Sequence, residues 1–228
     1  MIRGRLGIFA KAPGAGRVKT RLSPPLSAEQ AARLYDAMLT DVLLASAEAA
    51  RRLSLEPVVY FDPPDARSHF EARVPDGFAL REQVGPTLAE RMAEAFRTAE
   101  VEGVPLLLLR GTDSPALDVA HCREAIDRLD RGADVVLTPD QGGGYALIGM
   151  KKHHPTLFGI ALSTPTVLIE TLSRSEKAGI QVRLTRATFD LDVAADLRAL
   201  DALSPEESSV LCPHTVACVR SLRSLSVL

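Results

Sequence analysis

Short apolar runs rich in β-forming residues alternate along the chain with stretches whose apolar residues recur every three or four positions. The runs are Leu6 to Ala10, Val58 to Phe61, Leu106 to Leu109 and Val135 to Thr138. This is the rhythm of an α/β sheet, whose buried strands read as continuous apolar segments. The first helix opens at Ser27 with Gln30 three residues on, a capping-box pattern, and Ala31, Leu34, Met38, Val42 and Ala45 follow at helical spacing. A second helix is predicted from about Thr87 to the Ala99 region and a third from about Val119 to Leu129, with Gly132 as its stop. A fourth should begin at Thr164-Pro165, a cap with proline at the first helical position. After Val135 to Thr138, the glycines and apolar alternation of QGGGYALIGM predict a turn into a strand antiparallel to the rest, so the sheet should be mixed and mostly parallel. The tail from Ser204, with Pro205, Pro213 and then TVACVRSLRSL, reads as a covering helix over 204–228. No repeat or linker divides the chain, and residues 1–228 are expected to form one domain.

Composition narrows the function classes. The chain has 228 residues, 46% of them hydrophobic, enough for a substantial core. Its 27 Lys plus Arg against 29 Asp plus Glu, with 4% aromatics and no Trp, offer nucleic acid neither a basic footprint nor a stacking platform. The uncharged stretch 153–169 is interrupted by Pro155, Gly159 and Pro165, so no membrane span is expected. The apolar run after Arg3 and Arg5 is stopped by Lys11 with no small-residue cleavage site, and a cytoplasmic location is expected. Cys122, Cys212 and Cys218 are odd in number and widely spaced, which argues against a disulfide framework or a structural zinc site.

Three segments carry chemistry. The loop after the first strand, Lys11 to Arg21, combines Pro13, Gly14 and Gly16 with the cations Lys11, Arg17, Lys19 and Arg21. A Walker A loop needs glycine where this chain has Val18 and Pro13, so a P-loop is excluded. What remains is a flexible backbone and enough charge to neutralise a di- or triphosphate; the alternative is a solvated basic turn. The second segment is the apolar strand Leu106 to Leu109 running into Gly111, Thr112 and Asp113, which puts a carboxylate at the crevice where open sheets bind ligands. Asp113 serves equally well as a turn residue before Pro115. The third is Phe189 to Asp192 followed by Asp196, in which one of Asp190 and Asp192 is expected to reach a metal and Asp192 is also a candidate helix cap. Asp113 and Asp192 opposite a basic loop are what a divalent cation bridging phosphates requires. The histidines match no motif and read as surface or capping residues.

In order, the chain shows K-x-P-x5-K-T-R-L from Lys11, G-T-D-S-P from Gly111, G-G-Y-x-L-I-G from Gly143, S-T-x-x-V from Ser163 and D-x-D-x-x-x-D-L from Asp190. As a set these resemble the DUF2064 family of bacterial GT-A-type, nucleotide-diphospho-sugar transferase-like proteins, over about residues 5–203. The first loop is also similar to that of phospholactate guanylyltransferases. The resemblance implies a Rossmann-like mixed α/β sheet and a nucleotide under the first loop, held by Lys11, Pro13, Gly14, Gly16, Arg17, Lys19, Arg21 and Thr112. It implies magnesium or manganese on Asp113 and Asp192, with Asp190 as a further candidate, and Lys19, Arg21 and Asp113 as the catalytic residues. Gly143, Gly144, Tyr145, Ser163 and Thr164 would face the acceptor, with Ser163 and Thr164 alternatively a plain cap. Leu88, Glu90 and Arg91 match an L-G-E-R-M segment in which Ala89 replaces glycine; Glu90 would contact ribose or face water.

Two further departures bear on activity. Relatives read DGGYY where this chain has Gly142 to Ala146, so an acid near the acceptor is missing, and they carry Trp where it has Leu162. The expectation is therefore a metal-dependent glycosyltransferase-like transferase that uses a nucleotide-diphospho-sugar and a small acceptor. The alternatives are a guanylyltransferase-like nucleotidyltransferase using a nucleoside triphosphate, and a nucleotide-binding protein that has lost catalysis. The oligomeric state is left open.

Overall fold

The structure is a computed structural model, and it describes residues 2–162 and 164–224. Its apolar runs assemble into one seven-stranded sheet: β1 (Gly4–Lys11), β2 (Leu55–Asp62), β3 (Ala79–Glu82), β4 (Leu107–Arg110), β5 (Val135–Pro139), β6 (Tyr145–Met150) and β7 (Val182–Leu184). The order is β3-β2-β1-β4-β6-β5-β7. Every pairing is parallel except those of β6, which runs antiparallel to both β4 and β5, as the glycine-rich turn before it predicts. Progression from β1 goes outward through β2 and β3, while β4 starts the other half. The β1/β4 junction is thus the switch point, where open sheets of this kind leave a crevice at the carboxyl ends of their strands.

Seven helices surround the sheet among the described residues: α1 (Ala28–Leu53), α2 (Arg67–Glu71), α3 (Leu88–Val101), α4 (Val119–Asp130), α5 (Val167–Lys177), α6 (Pro205–Leu211) and α7 (Pro213–Ser224). The capping box at Ser27 is present: its hydroxyl accepts the Gln30 amide at 3.2 Å and the Gln30 side chain accepts the Ser27 amide at 2.7 Å. Alternation along the strands divides the core. Leu6, Ile8, Val59 and Leu108 pack with Leu39, Val42 and Ile126 from α1 and α4. Phe9, Tyr60, Leu107 and Leu109 face the other way, against Met92 and Phe96 of α3 and Phe158. A third cluster joins Leu22 after the first loop, Leu34 and Met38 of α1, Leu191, Leu197 and Val219 of α7. It anchors the first loop and the 189–202 segment to one foundation.

The structure departs from expectation where elements are not buried. Strands β3 and β7 lie at the two edges of the sheet and bury little, so they lack the apolar run that marks the inner strands. The tail forms two helices, not one, because Pro213 cannot continue α6 and instead opens α7. The fourth helix begins at Val167 with Thr166 as its cap, not at Thr164-Pro165. Here the glycine loop decides. Gly143 has φ of 84°, a Cβ on it would lie 2.1 Å from the Pro165 carbonyl oxygen, and its own carbonyl accepts the Leu168 amide at 3.0 Å. Residues 164–166 are thereby held as a turn against the loop. No described helix is long and apolar enough to cross a membrane.

Candidate active site

The crevice is floored by two buried side chains. The Tyr35 hydroxyl, reaching up from α1, accepts the Lys11 amide at 2.9 Å and the Thr112 hydroxyl at 3.2 Å, and donates to the Lys11 carbonyl at 3.0 Å. One phenol therefore ties the end of β1 to the loop after β4. Arg110, only 2% exposed, donates to the carbonyls of Leu117 at 2.9 Å and Ser114 at 2.8 Å. Burial pulls its guanidinium down to about 10. It braces the GTDSP loop by its backbone and leaves the Asp113 carboxylate half exposed.

Above this floor the predicted residues converge. The first loop turns at Gly16, φ of 72°, and again at Lys19, which sits in the left-handed region at φ 47° and ψ 36°, a position a lysine adopts only against strain. The turn sends the Lys19 ammonium inward, where its side chain is 3% exposed and bridges the carboxylates of Asp113 and Asp192. Its distance to Asp192 Oδ1 is 3.4 Å, and Arg21, on the solvent side, meets Asp192 Oδ2 at 2.5 Å. The backbone joins the two acids as well, since the Leu191 amide donates to the Asp113 carbonyl at 2.9 Å. Asp192 is not the helix cap. Val193 holds the cap position of the 3-10 helix Ala194–Ala202, and Asp196 in its first turn reaches back to accept the amides of Asp192 at 2.8 Å and Val193 at 2.7 Å, which leaves the Asp192 side chain for Lys19 and Arg21. Lys11 and Arg17 are exposed on the outside of the loop, with the Arg17 amide donating to the Gly14 carbonyl at 3.0 Å and Pro13 beside them half-buried.

A further acidic pair lies beside the glycine loop. A Cβ on Gly142 would lie 3.3 Å from Asp190 Oδ2 and 3.4 Å from Asp140 Oδ1. Asp140 is already engaged, its Oδ1 accepting the Gly142 and Gly144 amides at 2.8 Å each. Asp190 is pushed up to about 6, first by burial and then by the nearby carboxylates of Asp140, Asp196 and Asp192. The position that holds an acid in the resembled family is a glycine here, with two acids already around it. Among the described residues no three His, Cys, Asp or Glu side chains stand close enough to form a metal cluster. Asp113 and Asp192 are brought together as a pair around the Lys19 ammonium, while Asp190, the further candidate, lies next to Gly142 and near Asp140.

Of the residues expected to face an acceptor, Gly143 and Gly144 close the turn into β6, and burial pushes the Tyr145 phenol up to about 12. The hydroxyls of Thr164 and Thr166 are 3.0 Å apart. Ser163 lies outside the described residues. Glu90 faces its own helix end: its Oε2 accepts the Thr87 amide at 3.1 Å and the Thr87 hydroxyl at 2.6 Å, so the capping box takes the carboxylate that a ribose contact would need.

Residues 44–164, more than half of the chain, match the family described as an uncharacterized protein conserved in bacteria, DUF2064. The chain belongs to the DUF2064 family. The matched segment contains Asp113 and the glycine loop, while Lys19, Arg21, Asp190 and Asp192 fall outside it. A crystal structure from Desulfovibrio desulfuricans G20, of a protein whose name provisionally places it among the nucleotide-diphospho-sugar transferases, is 27% identical and superposes with a TM-score of 0.87 over 99% of this chain and 97% of that one. A cytidylyltransferase from Leptospira borgpetersenii is 13% identical, with a TM-score of 0.57 over 100% and 97% of the two chains. The 4-diphosphocytidyl-2C-methyl-D-erythritol synthase of Anaerococcus prevotii is 10% identical, with a TM-score of 0.53 over 87% and 97%. No curated protein sequence matches the chain. The fold is that of the nucleotide-diphospho-sugar transferases.

Three residues of this DUF2064 chain that organise the site escape sequence reasoning. Tyr35 sits in the apolar stripe of α1 and reads as core. Arg110 ends an apolar strand and reads as the point where the strand meets water. Asp140 precedes three glycines, and that spacing is the available signal: an Asp before a flexible loop commonly accepts amides two and four residues on.

Proposed function

We propose that this protein is a metal-dependent, glycosyltransferase-like transferase that takes a nucleotide-diphospho-sugar as donor and passes its sugar to a small acceptor. The observation that carries this reading is the meeting of Asp113, Asp192, Lys19 and Arg21 at the carboxyl ends of β1 and β4, the switch point of the sheet. Lys19 and Arg21 are the cations for the diphosphate. The amides of Gly14, Ala15 and Gly16 would lie along it, and Tyr35 with Thr112 keeps the two strand ends in register.

The donor set suits a divalent cation. Asp113 and Asp192 already gather around a positive charge, their oxygens are the hard donors magnesium and manganese prefer, and Asp190 is raised first by burial and then by like charges, the part a cation would relieve. Asp113 and Asp192 would hold it, with Asp190 close by, and when bound it supplies charge neutralisation at the leaving phosphate. The chain's own part is positioning and electrostatics: Lys19 and Arg21 offset charge that develops on the departing diphosphate, and the glycine loop, with Gly142 against Asp190, would face the acceptor.

Nucleotidyl transfer from a nucleoside triphosphate is the second reading. Four cations within Lys11 to Arg21 favour it, since they carry charge enough for a triphosphate. Product analysis separates the two. With magnesium or manganese and a panel of nucleotide sugars and nucleoside triphosphates, release of a nucleoside diphosphate supports the first reading and release of pyrophosphate the second. If no nucleotide at millimolar concentration raises the melting temperature, the donor class itself is wrong.

A further inference from the structure

The Lys19 ammonium bridges the two carboxylates that the metal reading assigns to a divalent cation. We propose that Lys19 is a resident counter-ion that keeps a divalent metal out of the free protein, and that the donor's phosphates admit the metal by drawing Lys19 away from Asp113 and Asp192. The inference rests on the metal reading above and goes beyond it, because it assigns an order: the metal enters with or after the donor, never ahead of it.

Three observations support the exchange. The Lys19 side chain is 3% exposed and contacts both acids, so a cation arriving between them meets an ammonium already in place, and like charges at that separation repel. Lys19 holds a left-handed backbone at φ 47°, a conformation that costs a non-glycine residue free energy and persists only while something anchors the side chain. The two carboxylates are that anchor in the free protein, and phosphate oxygens are a chemically equivalent one. Finally, Asp113 is 54% and Asp192 34% exposed, so once the ammonium leaves they stay open to solvent for a cation to reach. Donor and metal then favour each other by the same factor in both directions, as linked ligands must.

The test is manganese binding to the nucleotide-free protein, read as the free Mn2+ signal in electron paramagnetic resonance. It compares wild type with Lys19→Met, which keeps the stem and removes the charge, and with Lys19→Gly, whose residue suits the left-handed backbone and should fold even if the methionine variant does not. We expect both variants to bind Mn2+ at least about tenfold more tightly than wild type, and Asp113→Asn in either background to abolish the gain. If wild type binds Mn2+ as tightly as the Lys19 variants, the ammonium does not exclude the metal and the inference is overturned while the metal reading stands. If neither wild type nor any variant binds Mn2+, the metal reading fails and takes the inference with it.

Discussion

The Tyr35 hydroxyl lies 3.2 Å from the Thr112 hydroxyl while it also engages both backbone polar atoms of Lys11, at 2.9 and 3.0 Å. A helix residue from beneath the sheet thereby joins the last residue of β1 to the loop after β4, the two strand ends from which the basic loop and Asp113 depart. Burial pushes this phenol well above its ordinary range, so it stays a neutral donor and acceptor at any physiological pH.

Replacing Tyr35 by Phe keeps the ring and deletes all three bonds, leaving the Thr112 hydroxyl and the Lys11 amide without that partner in a buried setting. A loss of about 1–3 kcal/mol in urea unfolding is expected. Nucleotide should also raise the melting temperature of the variant less than that of wild type. Unchanged stability together with an unchanged nucleotide effect would mean that the two strand ends hold their register without the phenol.

Lys19 and Arg21 look equivalent in sequence, and burial separates them. Arg21, whose side chain is 70% exposed, should tolerate Ala with a stability change within about 0.5 kcal/mol while losing nucleotide affinity. Lys19 is almost wholly buried between two acids, so Lys19→Ala removes a shared partner and should lower both stability and affinity. In the sequence both are cations of one flexible basic loop. Unfolding curves and titration calorimetry on both variants decide the point, and equal stability losses would contradict the burial argument.

What the sequence made legible follows from where burial and turns leave marks. The inner strands declare themselves because both faces are covered, as at Leu6 to Ala10 and Leu107 to Leu109, whereas edge strands such as Ala79–Glu82 cover too little to need apolar residues. Asp113, Asp192, Lys19 and Arg21 stand out because their segments concentrate charge: four cations within Lys11 to Arg21, an acid just after an apolar strand, and three acids within 190–196. Their mutual arrangement does not, because a charge count does not say which cation turns inward, and it is the left-handed turn at Lys19 that does so. Tyr35 remained hidden for the opposite reason: a phenol at a core position of a helix has the same spacing whether or not its hydroxyl is engaged.

Asp41 of α1 shows how far from the crevice the foundation reaches. Its side chain is fully buried and its two oxygens accept the His214 amide at 3.1 Å, the Thr215 amide at 2.7 Å and the Thr215 hydroxyl at 2.7 Å, capping α7 from another helix. Asp41→Ala leaves the donors of a buried helix end unpaired and removes the attachment of α7 to α1. A loss of about 3–5 kcal/mol is expected. Proteolysis should then cut the tail ahead of the sheet, and a variant that resists cleavage as wild type does would show that apolar packing alone retains α7.

Asp190 sets the acid side of the stability profile. Its carboxyl, ordinarily near 3.8, is raised to about 6 by burial and by Asp140, Asp196 and Asp192. Between these values the folded protein keeps a proton that the unfolded chain has released, so this residue's contribution to stability is present below about pH 4 and declines as pH rises through about 6. Asp190→Asn preserves the shape and removes the charge. In the presence of a chelator, the variant and wild type should melt at similar temperatures near pH 4, and the variant should melt higher at pH 7.5. Because the side chain is partly exposed, solvent screening makes the difference smaller than the full shift implies. Parallel melting profiles across that range would mean that Asp190 feels no net repulsion from its neighbours. The same substitution should be the more stabilising the lower the ionic strength, because salt screens the carboxylates it relieves.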